Sequence, residues 1–131
     1  MDDLISVEGM VSRNAALNEM VQTGVLLQIG AMDMDTHSMS TKIFEYIATR
    51  RPILALVPEG PIASIVRNLD AGWIISPDRP DEIARKVLEL CQQHAREGLV
   101  MNAPVDLSRF TRRYQAGQLL ELINRAVRQN A

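Results

Sequence analysis

Ser40, Thr41 and Lys42 are followed three residues later by Glu45. If this stretch is a helix, Lys42 and Glu45 share one face, because residues three apart are neighbours on a helix surface. The first turn of a helix also leaves backbone N–H groups without intrahelical partners, and such groups attract anions. An ammonium, two hydroxyls and a carboxylate at that end suit a ligand bearing both phosphates and hydroxyls. That combination points to a nucleotide or a nucleotide-sugar.

The surrounding pattern supplies the elements that would hold this cluster. Residues 40–50 read as a helix that leaves a polar loop and ends before Pro52, which feeds an apolar strand at 53–57. Earlier, Leu4 to Val7 reads as a strand, and Ala16, Leu17, Met20 and Val21 mark a helix stopped at Gly24. Val25 to Ile29 reads as a buried strand. Residues 30–39 form a polar loop. Glu59, Gly60 and Pro61 open a helix with Ile62, Ile65, Val66 and Leu69 inward, and Ala71-Gly72 leads into a strand from Trp73 to Ile75. A long amphipathic helix follows, starting near residues 78–81, with Ile83, Val87, Leu88 and Cys91 on its apolar side. Gly98 to Pro104 is a linker, and a last helix spans about 110–128 with Leu119, Leu120, Ile123 and Val127 inward.

Alternation of strands and helices predicts an α/β fold: a Rossmann-like parallel sheet of about four strands with helices on both faces. We expect residues 1–131 to form one domain, with 99–131 as linker plus amphipathic helix. In such sheets ligands bind at the carboxyl ends of the strands. The loop after 25–29 and the turn after 53–57 both lie there, so His37, Ser40, Thr41, Lys42, Glu45 and Gly60 converge.

Composition narrows the function further. A net charge of −2 with no long run of one sign disfavours nucleic-acid binding through a basic field. The longest apolar run, Ile53 to Val57, is too short to span a bilayer. The acidic start, Met1 to Ile5, lacks the basic-then-apolar layout of a signal peptide. One cysteine, Cys91, fits a core thiol in a cytosolic protein. His37, His94 and Cys91 lack metal-ligand spacing, and Asp33 and Asp35 on one loop are weak metal ligands, so we expect no metal. The expected location is cytoplasmic, with at most peripheral contact to the inner membrane. Five arginines at 109, 112, 113, 125 and 128 offer an acidic partner or a membrane surface something to bind, although a solvated helix face explains them too.

Lys42-x-x-Glu45-Tyr46, then Pro52 with its apolar strand, Glu59-Gly60 and Ala71-Gly72 resemble the second lobe of the GT-B glycosyltransferases. The match is to the large retaining group that uses sugar nucleotides, and it runs from about residue 4 to residue 90. The resemblance implies that Glu45 accepts hydrogen bonds from both ribose hydroxyls, since one carboxylate offers two oxygens. It implies that Lys42 contacts a phosphate or the sugar, and that Ser40 and Thr41 serve phosphate oxygens. Gly60 would let the base or ribose approach the backbone. His37 stands where the family usually carries a first acid, so the paired-acid pattern is incomplete, though His37 could touch sugar or phosphate.

By the same resemblance, the chain would be the last third of an enzyme that moves a sugar from UDP or GDP to a polysaccharide or lipid-linked acceptor. The first lobe, with acceptor binding, would be absent, so no residue here is assigned a catalytic role and the chain alone should turn over nothing. No cofactor beyond the nucleotide-sugar substrate is implied. Because two strands of the family's order are missing, strand 4–7 should either move beside 25–29 or pair with another copy, giving a homo-oligomer through that edge. A non-catalytic nucleotide- or protein-binding α/β module is the alternative, and a sugar epimerase on the same architecture is a third.

Overall fold

A computed structural model of the chain describes residues 5–30, 40–98, 102–104 and 106–129. In order come α1 (Arg13–Gln22), β1 (Leu26–Ile29), α2 (Lys42–Thr49), β2 (Ile53–Leu56), α3 (Pro61–Asn68), β3 (Gly72–Ile75), α4 (Pro80–Glu97), a 3₁₀ turn (Ser108–Phe110) and α5 (Arg112–Gln129). Leu4, the loop with Asp33, Asp35 and His37, and linker residues 99–101 lie outside the described residues.

The fold is α/β, and its sheet has three parallel strands in the order β1-β2-β3. Leu26 pairs with Ile53, and Ile53 with Gly72, so the strands start in register. The expected strand at 4–7 is a correction. Ile5 to Val7 belong to no strand, and Ile5 and Val7 are exposed. Their apolar character was the whole basis for that expectation. A strand also needs a neighbour's hydrogen-bonding edge, and among the described residues no strand pairs with them. Ser6 instead donates to Glu8, 2.8 Å away, a bond purely local to the segment.

Period-2 alternation in the strands sorts side chains into two cores. On one face Leu26, Ile53 and Ala55 meet Ile43 and Ile47 of α2 and Ile62, Ala63 and Val66 of α3. On the other, Leu54 and Ile75 meet Leu90 of α4, with Ile83 and Trp73 packed around them. Pro61 opens α3 at its first position, where a missing N–H costs nothing. Pro80 does the same for α4, with Asp81 and Glu82 in its first turn complementing the helix dipole.

The two faces are unequally covered. Two helices pack directly on the first and only α4 on the second. Leu27 and Ile29 therefore remain exposed, as do Val87 and Leu88 of α4. This corrects the reading of 25–29 as a fully buried strand and of Val87, Leu88 and Cys91 as inward; Cys91 is exposed, not a core thiol. Likewise Leu119, Leu120, Ile123 and Val127 of α5 are exposed rather than inward.

At the amino ends of the strands, two arginines act as clasps. Arg50 closes α2 in a left-handed conformation (φ 61°), and its guanidinium donates to the Asn102 carbonyl at 3.1 and 2.9 Å. Asn102 returns a bond from its backbone N–H to the Arg50 carbonyl (2.8 Å) and one from its amide to the Ala71 carbonyl (2.9 Å). Arg51 is buried, and its Nε and Nη2 both donate to the Val21 carbonyl near the end of α1, at 2.8 and 2.5 Å. Its Nη1 is buried without a partner. The Val21 carbonyl belongs to the negative end of the α1 dipole, the part of a helix that best tolerates a cation. Arg51→Ala removes both charge-assisted bonds and the anchor of α1. The expected loss is about 2 kcal/mol in a urea melt, with earlier proteolytic cutting in α1.

Asp106 caps the 3₁₀ turn by accepting from the Ser108 N–H at 2.8 Å. That bond, with help from the Ser108 hydroxyl and Arg109, holds its carboxyl below the ordinary aspartate range. A lowered folded value stabilises above the unfolded pKa and is lost as pH falls through the folded one. NMR titration of the Asp106 carboxyl should thus give a midpoint below that of a free aspartate. The Ser108→Pro variant, which lacks the donor, should move it upward.

Candidate functional site

Helix α2 starts where β1 has just delivered the chain to the carboxyl edge of the sheet. Its apolar positions Ile43 and Ile47, four apart, are buried against the sheet and fix the helix. Lys42 and Glu45 are thereby turned away from the core, while Tyr46 packs partly against it. Lys42 and Tyr46, also four apart, face a concavity of about 390 Å³. Its other walls include Gly30 after β1, Ser40, Gln28 and Ile62 at the start of α3. The concavity sits outside the carboxyl end of β1, where open parallel sheets place their ligands.

Of the six residues expected at the site, Ser40 and Lys42 line this space directly. Thr41 caps α2, yet its side chain makes no capping hydrogen bond. Simple N-capping, the competing explanation for Thr41, thus does not account for it. The first intrahelical contacts run instead from Ile43 N–H to the Ser40 carbonyl (3.3 Å) and from Phe44 N–H to the Thr41 carbonyl (3.2 Å).

Glu45 stands beside the concavity rather than in it. Three residues beyond Lys42, it lies about 60° round the helix. It accepts from Arg13 of α1 at 3.1 Å, with both side chains substantially open to water. Lys42 is therefore not its ion-pair partner, contrary to the bland explanation of that lysine. Such an exposed pair contributes only tenths of a kcal/mol. A ligand hydroxyl could displace Arg13 at small cost.

Gly60 caps α3 with an extended backbone (φ 165°), which any residue could adopt. Its carbonyl accepts from Ser64 N–H at 2.9 Å. Turn chemistry ahead of Pro61 explains it, and only the following Ile62 reaches the concavity. Glu59, its neighbour, is engaged by Arg67 at 2.7 Å on the surface. His37 lies outside the described residues. Among those described, no group of His, Cys, Asp or Glu side chains is assembled that could hold a metal ion. No described helix is long and apolar enough to cross a membrane.

Two wall residues were missed from the sequence. Gln28 is a buried amide inside an otherwise apolar strand, with its Nε2 donating to the Ile29 carbonyl at 3.3 Å. A polar side chain interrupting the run from Val25 to Ile29 was the available signal. Tyr46, the residue after Glu45, is the other. Arg13, which partners Glu45, is separated from it by 32 positions and left no trace in any local pattern.

His94 and Trp73 lie away from this end. His94 is exposed, with Nδ1 3.1 Å from the Gly98 carbonyl. Trp73 is half-buried beneath the Lys86 ammonium, 5.4 Å from its ring centre. Compared with models of protein families, with curated proteins and with solved structures, the chain matches none.

Proposed function

We propose that the chain is a nucleotide-sugar-binding unit with a Rossmann-like fold, the donor-binding portion of a GT-B-type glycosyltransferase. The observation that carries this reading is the concavity at the carboxyl end of β1, walled by Ser40, Lys42 and Tyr46 from the start of α2. The Lys42 ammonium, with the Ser40 hydroxyl beside it, would take the diphosphate. Glu45, released from Arg13, would accept the two ribose hydroxyls. UDP- or GDP-sugars are the donors proposed, with a polysaccharide or lipid-linked acceptor held by a lobe outside these 131 residues. Transfer needs both partners aligned in one cleft, so this chain alone would bind donor without turning it over.

Saturation-transfer NMR with UDP- and GDP-sugars checks this directly. Ribose protons of one nucleotide should receive saturation in the native chain, and Lys42→Ala should weaken the phosphate grip by about tenfold, the effect of one charge-assisted contact. Absence of transfer to every nucleotide tested, from folded protein, would remove the donor-site reading. A non-catalytic protein-binding module is the second reading. It is favoured by one observation, the exposed apolar stripe of α5.

A further inference from the structure

One face of the sheet is left partly uncovered by the described helices. α4 covers β2 and β3 on that face, and beside it, over β1, runs a trough of about 300 Å³. Its walls include Val25, Leu27 and Leu54 from the sheet side and Val87, Leu90 and Cys91 from α4, with the His94 imidazole also lining it. Leu27 is 48% exposed, Ile29 64% and Leu88 60%, so apolar surface continues past the trough on both sides. Three-layer α/β units bury both faces of a parallel sheet, and this one leaves the β1 strip open.

The same chain carries a helix that lacks a groove. α5 repeats apolar residues at 116, 119, 120, 123 and 127, the spacing of one helical stripe. Leu119, Leu120, Ile123 and Val127 are 59, 59, 51 and 63% exposed. Both α4 and α5 have 18 residues, and each is therefore about 27 Å long.

Charge favours the same pairing. α5 holds four arginines and one glutamate, a net of +3, so the rest of a chain whose net charge is −2 carries −5. A basic helix attached to an acidic body attracts the body of another copy. A two-fold arrangement makes the contact twice, each copy giving its helix and receiving one.

We propose that two copies of this chain associate by reciprocal docking of α5 into the partner's trough between α4 and β1. The pairing does not depend on the nucleotide-sugar reading, and the trough is on the sheet face opposite α2. It also differs from an edge pairing through residues 4–7, since side chains and not strand backbones make the contact.

Cys91 is a native reporter, being the chain's one cysteine and part of the trough wall. Its reaction rate with a maleimide should fall as the chain is concentrated, in step with the appearance of a dimer by sedimentation velocity. Ile123→Glu on the helix and Leu88→Glu beside the trough, both at exposed positions, should each give a monomer of unchanged far-UV circular dichroism. Their Cys91 rate should no longer depend on concentration. Added salt should weaken the native dimer. A native chain that stays monomeric across the series overturns the proposal, and so does a dimer whose Cys91 rate is constant. A dimer that survives both substitutions also overturns it, in favour of pairing along the β1 edge. Binding of monomers to anionic phospholipid vesicles through α5 would assign that helix to a membrane surface instead.

Discussion

Gly72→Ala should destabilise the fold by about 4 kcal/mol or more, a size reserved for a few mechanisms such as backbone strain and overpacking. Gly72 opens β3 with φ +153°, a conformation that side-chain-bearing residues rarely adopt. A Cβ there would lie 2.6 Å from the Ile53 nitrogen and 2.7 Å from its carbonyl carbon, with the carbonyl oxygen nearer still. These are backbone atoms of the central strand, paired in register with Gly72, so no rotamer change relieves the clash. Relief would require separating β3 from β2 and weakening the bond from Ile53 N–H to the Ala71 carbonyl, 2.9 Å long. Domains of this size have only about 5–15 kcal/mol in total. The variant should therefore show a large fall in its urea midpoint or be unfolded from the outset. An unchanged midpoint would mean that the β2–β3 contact is not built as described.

Ile43→Ala should cost about 3 kcal/mol, within the range for emptying a fully buried aliphatic site. Ile43 is wholly buried and, with Ile47, ties α2 to the sheet. α2 has only eight residues, too few to be helical without such packing. The substitution reaches the proposed site for that reason, although Ile43 itself faces away from it. Lys42 adjoins it, Tyr46 lies three residues on, and both depend on its anchorage for their aim. Ligand affinity should fall together with stability, and hydrogen exchange should quicken through residues 42–49. Loss of stability with unchanged exchange in α2 would locate the damage elsewhere.

Most of the architecture was readable because strands and helices here follow clean periods. The run Ile53 to Val57, the turn at Gly60-Pro61 and the Ala71-Gly72 junction marked β2, α3 and β3 closely. Apolar content alone does not establish burial. Ile5 and Val7 are apolar yet exposed, and so is the apolar stripe of α5. Periodicity specifies a helix and its greasy side, not what covers it. In β1 the alternation runs opposite to intuition, with the amide Gln28 inside and Leu27 and Ile29 outside, because only one face of that edge strand has helices over it.

The site was legible to a similar depth. Ser40, Thr41, Lys42 and Glu45 do gather at the start of α2, because local spacing alone determines that. Arg13 and Gln28 come from distant positions, and only the packing of α1 and β1 brings them near. Gly60 does not line the concavity; its extended backbone ahead of Pro61 makes it the cap of α3.

The most direct test is calorimetric titration of UDP, GDP and their sugar conjugates into this chain and into Glu45→Gln. The substitution keeps the size of the side chain, removes the charge, and falls on an exposed pair, so stability should hold. We expect saturable binding of one nucleotide series with one site per chain, weakened about tenfold or more in Glu45→Gln, the worth of a charged hydrogen bond to hydroxyl. Equal heats from both proteins, or none from either while both remain folded, would contradict a donor site built on the start of α2.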